Sequence, residues 1–220
     1  MIKDRVIRLT KAEKVVHNLN MVFWVALLLT GCTLYFGWIG KGQKNLFFNM
    51  HSVLGFVFII NLAIFVLFGS DSFKKFWKNL TTWDSDTKAW FRNLGGYPRK
   101  FGINFGPKEL APQGRFNGGQ KLIYTFFVIM FIVLGITGIF IFFAMMNKGL
   151  IPREIMRPIK NIHAYSAFIT TIVVILVHVP AAFLNKEDLK AMFRFGDGSI
   201  SRKSAKEHSP KWLEEIEKAK

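Results

Sequence analysis

The sequence predicts an all-α integral membrane protein, a four-transmembrane-helix bundle with cytoplasmic N- and C-termini. Four runs lack Asp, Glu, Lys and Arg, and each exceeds the ~20 residues that a helix needs to cross the hydrocarbon core. The runs cover residues 15–40, 45–70, 122–147 and 161–185. The chain is 51% hydrophobic although it carries 30 Lys and Arg, so apolar and basic blocks alternate. A soluble protein of 220 residues could hardly bury four such helices.

The distribution of basic residues predicts the orientation. Lys and Arg number five before the first run, ten between residues 70 and 121 and nine in the tail, against two and four in the remaining loops. Cytoplasmic loops carry the excess of Lys and Arg, so we expect a protein of the bacterial inner membrane with both termini inside. Anionic lipid, with cardiolipin as one candidate, or acidic partner subunits then explain the net charge of +16, and no nucleic-acid partner is expected.

A single membrane domain is expected over residues 1–220, with the first span retained in the mature chain. Its one cysteine, Cys32, lies in mid-span and is interpreted as a small packing residue. The predicted spans cover about residues 17–40, 47–69, 121–146 and 159–184. A cytoplasmic loop is predicted over 70–120 and a cytoplasmic tail over 186–220.

The long loop has two predicted parts. Residues 72–94 mix Phe and Trp with Lys and Arg, which indicates an amphipathic helix at the membrane interface, or two helices broken near Asp84–Asp86. A solvated linker is the alternative. Residues 95–121 are rich in Gly and Pro, so this second part is expected to be irregular.

Four histidines lie in the apolar runs, where an ionisable side chain is costly and indicates a functional site. Because successive spans alternate in direction, His51 and His163 belong to the outer leaflet, and His17 and His178 to the inner one. The fifteen residues from His163 to His178 correspond to roughly 22 Å along a helix. Two pairs, each from two helices, suit two haems b with two axial imidazoles each. We therefore expect His51 and His163 to bind the outer haem iron, and His17 and His178 the inner one.

Three other roles compete with haem ligation for these histidines. A histidine in a span can be a hydrogen-bonding residue, zinc would need a carboxylate or thiolate nearby, and a proton relay would recruit membrane Asp or Glu. His208 lies in the charged tail and is expected at the solvated surface. In the third span, Gly135, Thr137 and Gly138 either allow close helix packing or leave room for a flat prosthetic group.

Uncharged hydrogen-bonding residues precede the third span, where residues 117–121 read NGGQK. We expect them at the cytoplasmic interface, near the level of His178. A quinone site needs hydrogen-bond donors for its carbonyl oxygens beside an apolar slot. The same residues also suit the N-terminal cap of a helix, and the residues alone leave both interpretations open.

Several motifs carry a resemblance to a known family. They are a histidine at the start of span one, MHSVLGF at 50–56, GRFNGGQK at 114–121, IHA at 162–164 and ISRKSAKEHSPKWLEEIEKA at 200–219. Over nearly its whole length the chain resembles the gamma (cytochrome b) subunit of membrane-bound formate dehydrogenases. The motif at 114–121 and the tail motif at 200–219 are the specific ones. Histidines in apolar helices are less specific, since hydrogenase and thiosulfate-reductase cytochromes b also have them.

The resemblance implies four transmembrane helices and two haems b, with the same histidine pairs as ligands. It also implies a menaquinone site beside the inner haem that involves Asn117, Gly119, Gln120 and the edge of His178. The implied partners are an iron–sulfur (beta) subunit and, through it, a molybdopterin or tungstopterin catalytic subunit. A trimer of these heteromers is implied as well.

The function expected from the resemblance is electron transfer. Electrons would pass from a periplasmic iron–sulfur subunit across the membrane to menaquinone or another quinone, and no side chain of this chain would act on formate. The alternatives are a cytochrome b subunit of the nickel–iron hydrogenase or thiosulfate reductase type, and a haem-free membrane anchor.

The spacing between His163 and His178 is one residue longer than the resemblance leads us to expect. On a straight α-helix one extra residue turns the later side chain by about 100°. A π-bulge or kink is predicted to absorb it, near Thr170–Thr171 or at Pro180, which denies Leu176 its usual helical hydrogen bond.

Overall fold

The computed structural model describes residues 4–147, 151–193 and 197–219. Four helical segments in this part of the chain are long and apolar enough to cross a membrane, with 26, 28, 29 and 32 residues. They are Lys11–Phe36, Lys41–Phe68, Gly118–Met146 and Arg153–Leu184. The predicted four-helix membrane fold is confirmed, and the side on which the termini lie stays a prediction.

Eleven α-helices and two strands make up the described regular structure, together with one π-helical segment, Val174–His178, and short 3-10 turns. The helices are α1 (Lys11–Phe36), α2 (Lys44–Phe68), α3 (Ser70–Thr81), α4 (Ser85–Ala89), α5 (Tyr97–Lys100), α6 (Gly118–Met146), α7 (Arg153–Val173), α8 (Val179–Leu184), α9 (Lys186–Phe193), α10 (Arg202–His208) and α11 (Pro210–Lys218). The strands are β1 (Arg5–Ile7) and β2 (Ser199–Ser201), and the 3-10 turns are Lys41–Gln43, Trp90–Arg92 and Leu94–Gly96.

The chain divides into two compact units. The described residues of the first, which we call the bundle unit, are 12–70, 127–147 and 151–181. The described residues of the second, the polar unit, are 4–11, 71–126, 182–193 and 197–219.

The bundle unit packs through aromatic side chains and exposes large apolar ones. Phe56 of α2 meets Phe142 of α6 edge to face, with ring centres 5.0 Å apart. Leu67 and Phe68 are 70% and 78% exposed. Such a surface would be unfavourable in water but faces hydrocarbon without penalty. Hydroxyl groups bond within their own helix, as Thr33 does to the Leu29 carbonyl (2.7 Å), because hydrocarbon offers donors no other partner.

The polar unit has a small core of its own. Strands β1 and β2 are antiparallel, with Val6 opposite Ile200, and join the N-terminal arm to the tail. Val6 and Ile200 are buried together with Ala205, Trp212 and Leu213 of the tail helices. The sequence did not predict these strands, because three residues are too few to show an alternating pattern.

The loop helices follow the predicted break. The amphipathic α3 ends at Thr81, and α4 begins after Asp84, whose carboxylate accepts a hydrogen bond from the Thr87 amide at 2.7 Å. The loop therefore has two helices with a break at the predicted place. Their position at the membrane interface stays a prediction. Residues 101–117 contain no helix or strand, as predicted from their Gly and Pro content. The rest of the segment 95–121 was predicted wrongly, because it holds α5 and the first turn of α6.

Lys211 of α11 fastens the tail to this loop. Its ammonium group contacts the carboxylates of Asp84 (2.8 Å) and Asp86. The hydrogen bond from Lys211 lowers the pKa of Asp84 below its usual 3.8, and the Thr87 hydrogen bond adds to this effect. Hydrogen bonds to Asp84 and Asp86 raise the pKa of Lys211 above 10.5. Both groups of the pair consequently stay charged between these two pH values.

Candidate functional site

The outer histidine pair lies between α2 and α7. His51 projects from near the start of α2, and His163 from the middle of α7. Their ring centres are 6.2 Å apart and the ring planes cross at 78°. The structure thus brings together the two side chains that the sequence assigned to one level.

The inner pair joins α1 to the π-helical segment. The ring centres of His17 and His178 are also 6.2 Å apart, with the planes tilted by 42°. The ring of Phe127 on α6 meets His178 edge to face at 5.6 Å. One side of His178 is therefore held by an aromatic neighbour that the sequence pattern did not indicate.

The common separation of the two pairs suits a shared metal ion. A bond from imidazole nitrogen to a first-row metal is about 2.0 Å long and the ring centre lies about 1.1 Å beyond, so two imidazoles on opposite sides of one ion have centres about 6.2 Å apart. The described residues contain no group of three or more His, Cys, Asp or Glu able to hold a metal. Each pair therefore offers two axial donors, which fits a haem because the macrocycle brings four nitrogens of its own.

The chain turns π-helical between His163 and His178, where the sequence analysis expects an extra residue to be absorbed. Residues Val174–His178 form the π segment, and the Val179 amide donates to the Val174 carbonyl, five residues earlier. The predicted π-bulge is confirmed, a few residues beyond Thr170–Thr171. A π turn takes up one additional residue, so the ring of His178 meets that of His17.

Each outer histidine contacts a Thr-Gly dipeptide on a third helix. The hydroxyl of Thr30 on α1 lies 2.9 Å from His51 Nδ1, and that of Thr137 on α6 lies 2.8 Å from His163 Nδ1. The sequence indicated the small residues around Thr137 but missed Thr30 and Gly31. The recurrence of Thr-Gly in spans one and three was the available signal.

Asn117 and Gln120 form a reciprocal cap at the start of α6. The backbone N–H of Gln120 donates to Asn117 Oδ1 at 2.9 Å, and the backbone N–H of Asn117 donates to Gln120 Oε1 at 3.1 Å. This is a capping box, so the cap interpretation of these residues holds. It engages both side-chain carbonyl oxygens, whereas the two –NH2 groups, which are donors, take no part in it.

The two glycines of this segment allow neighbouring residues of the polar unit to pack closely against the start of α6. A Cβ atom on Gly118 would lie 2.6 Å from the Thr87 carbonyl oxygen, and one on Gly119 would lie 2.5 Å from the Trp90 ring. Trp90 therefore occupies the space beside Gly119. No sequence pattern indicates this contact, because Trp90 is 29 residues away in the chain.

His208 takes no part in the histidine pairs. It ends α10 in the polar unit, where Nδ1 lies 3.1 Å from the Ser204 carbonyl oxygen and can donate to it. The side chain is half-buried, so the expectation of a fully solvated residue holds only in part.

Four apolar helices with two cross-helix histidine pairs define a multi-pass membrane cytochrome of the b type. A sequence model of the family described as prokaryotic cytochrome b561 matches residues 8–195. The chain belongs to this family, and membership implies haem b as a cofactor.

Individual relatives agree with this assignment. The chain is 26% identical over 222 residues to the formate dehydrogenase cytochrome b556(fdo) subunit of Escherichia coli K12, covering 98% of this chain and 95% of the relative. It is 37% identical over 111 residues to the nitrate-inducible formate dehydrogenase cytochrome b556(Fdn) subunits of Escherichia coli K12 and Shigella flexneri, covering 50% of this chain and 49% of each relative. The resemblance inferred from the sequence motifs is confirmed.

Proposed function

We propose that this chain is the two-haem membrane subunit of a formate dehydrogenase. In that role it passes electrons from a periplasmic iron–sulfur subunit across the inner membrane to menaquinone or another quinone. The names of its relatives support the assignment to a formate dehydrogenase. The b556(fdo) subunit aligns over 98% of this chain, which supports a role for the whole protein. One observation supports the proposal most directly: within each histidine pair the two ring centres lie 6.2 Å apart.

The histidines supply ligation and position. Imidazoles of α2 and α7 hold the outer haem, and those of α1 and the π segment hold the inner one. Bound haem b supplies one-electron redox chemistry, while the protein sets its depth and its surroundings. Each electron that crosses against 100 mV of membrane potential involves about 2.3 kcal/mol.

Haem counting tests this proposal. Wild-type protein in its complex should contain two haems per chain by the pyridine haemochrome assay. His51→Ala and His163→Ala should each retain one haem, and so should His17→Ala and His178→Ala. The two groups of variants should keep spectrally different haems, because each group loses a different site.

His208→Ala is the matched control and should retain both haems, because this histidine lies outside the pairs. Wild-type protein without haem would overturn the proposal. Equal loss of both haems from every single variant would overturn the two independent sites. Copurification with a nickel–iron subunit instead of a molybdopterin or tungstopterin subunit would contradict the formate dehydrogenase assignment.

A quinone site at the start of α6 belongs to the same proposal. The –NH2 groups of Asn117 and Gln120 are suitable donors for quinone carbonyl oxygens, and both side chains are half-buried. Gly119 contributes by admitting Trp90, which adds an apolar wall beside them. The participation of His178, implied by the resemblance, remains part of the proposal.

A further inference from the structure

The outer histidines share a mode of support that neither the motifs nor the family assignment describes. We infer that Thr30–Gly31 and Thr137–Gly138 are positioning residues that hold the imidazoles of His51 and His163 in one tautomer and one orientation. The inference rests on the proposed function, because it concerns how these imidazoles are presented to the outer haem iron.

The direction of the hydrogen bonds follows from the carbonyl groups beside each threonine. Thr30 Oγ1 lies 2.8 Å from the Ala26 carbonyl oxygen. A carbonyl oxygen only accepts, so the single hydroxyl hydrogen of Thr30 is donated to it. The same oxygen, 2.9 Å from His51 Nδ1, must then accept the ring N–H.

The second threonine repeats this arrangement on another helix. Thr137 Oγ1 lies 2.6 Å from the Val133 carbonyl oxygen and 2.8 Å from His163 Nδ1. In both histidines the proton is therefore placed on Nδ1, and the lone pair of Nε2 is left for a metal. A hydrogen bond on the second nitrogen also fixes the ring and makes a ligating histidine more basic.

The glycine that follows each threonine gives the ring its space. A Cβ atom on Gly31 would lie 3.2 Å from His51 Cε1, and one on Gly138 would lie 3.2 Å from His163 Cε1. Both distances are tighter than ordinary contacts, so any larger residue would press on the imidazole. Threonine thus holds the ring at Nδ1, and glycine admits its Cε1 edge.

Redox titration of haem in the purified complex tests the inference. Thr30→Val and Thr137→Val keep the shape of the side chain but remove the hydroxyl oxygen that accepts a hydrogen bond from Nδ1–H. The imidazole then donates less electron density and ferric iron is less stable, so the midpoint potential of the outer haem should rise. We expect the oxidised-to-reduced ratio at fixed ambient potential to fall at least threefold, or about 28 mV at 59 mV per tenfold change.

Three comparisons make the result specific. Thr30→Ser and Thr137→Ser keep the hydroxyl and should restore the wild-type potential. Thr33→Val is the matched control on α1 and should shift nothing. Within the described part of the chain, the Thr33 hydroxyl bonds the Leu29 carbonyl at 2.7 Å and no histidine. The inner haem, whose described neighbour at His178 is Phe127, should keep its potential in all variants.

Each outcome distinguishes the inference from the proposed function. Two haems with an unchanged outer potential in both valine variants would overturn the inference and leave the proposed function standing. A similar shift in Thr33→Val would also overturn it. Loss of the outer haem from the valine variants, with retention in the serine variants, would support it. Wild-type protein without haem would remove the proposed function itself.

Discussion

At the scale of single residues, the oxygens that cap α6 and the –NH2 groups that we propose as quinone donors belong to the same side chains. The carbonyl oxygens of Asn117 and Gln120 cap the first turn of α6, at 2.9 and 3.1 Å from their amide donors. The –NH2 groups are not needed for capping. A glutamate in the place of the glutamine keeps the capping oxygen and lacks the donor, so substitution can remove one role without the other.

This separation gives a prediction for quinone reduction. In Gln120→Glu the reoxidation of reduced haem by a menaquinone analogue should slow about fivefold, because the lost hydrogen bond is worth about 1 kcal/mol and a tenfold change corresponds to about 1.4 kcal/mol. Haem content should stay at wild type. Stopped-flow absorbance of the intact complex measures the rate.

Two variants control for charge and for position. Asn117→Ser retains a good cap without an –NH2 group or a charge, and should slow reoxidation in the same way. Gln43→Glu makes the same chemical change on an exposed residue between spans one and two and should have no effect. Wild-type rates in both Gln120→Glu and Asn117→Ser would refute a donor role for this segment.

At the scale of elements, the π segment decides which way His178 points. His178 lies fifteen positions after His163. The five-residue π-helical segment ends at His178. Because a π turn contains one residue more than an α turn, the helix beyond it has the phase of a chain one residue shorter. The pairing of His178 with His17 therefore depends on this local change of helix type.

Deletion and insertion within the segment should have opposite results. Removing Ile175, which is 56% exposed, should convert the π turn to α and retain the inner haem. Inserting one alanine after Ile175 should turn His178 by about 100° and remove that haem only. The pyridine haemochrome count gives the answer for both. If the deletion removed the inner haem as completely as the insertion, the phase argument would be wrong.

At the scale of the whole molecule, the four spans place both ends of the chain on one side of the membrane. The distribution of basic residues predicts that this side is the cytoplasm: two Lys lie between spans one and two, against ten Lys and Arg between residues 70 and 121. The two levels of histidines follow from the same alternation of direction. Orientation therefore matters to the proposed route of electrons and not only to topology.

Reporter fusions test the predicted orientation. A green fluorescent protein at the C-terminus should fluoresce, and alkaline phosphatase at the same point should be inactive, because the phosphatase needs an oxidising compartment for its disulfides. The phosphatase fused after Gln43 should be active. Active phosphatase at the C-terminus would place the tail in the periplasm and exchange the outer and inner histidine pairs.

Part of the site was predictable because it depends on properties that run along the chain. Charge-free length identified the spans, and their alternating direction paired His51 with His163 and His17 with His178. The orientation that the Lys and Arg count indicates stays a prediction. The break near Asp84 was predictable for the same reason, since a helix-capping residue acts on its immediate neighbours. The spacing from His163 to His178, set against the one that the resemblance implies, also indicated a π-bulge or kink, although not its exact position.

The sequence by itself determined the membrane class of this protein, its four spans and the assignment of four histidines to two levels. Only the tertiary structure decided that the rings of each pair lie 6.2 Å apart, that Thr30 and Thr137 contact the outer histidines, and that Trp90 covers Gly119. The reason is physical. Helices that are apolar on every side carry no stripe to show which face meets a neighbour, so their rotation is settled by side-chain packing between segments distant in the sequence.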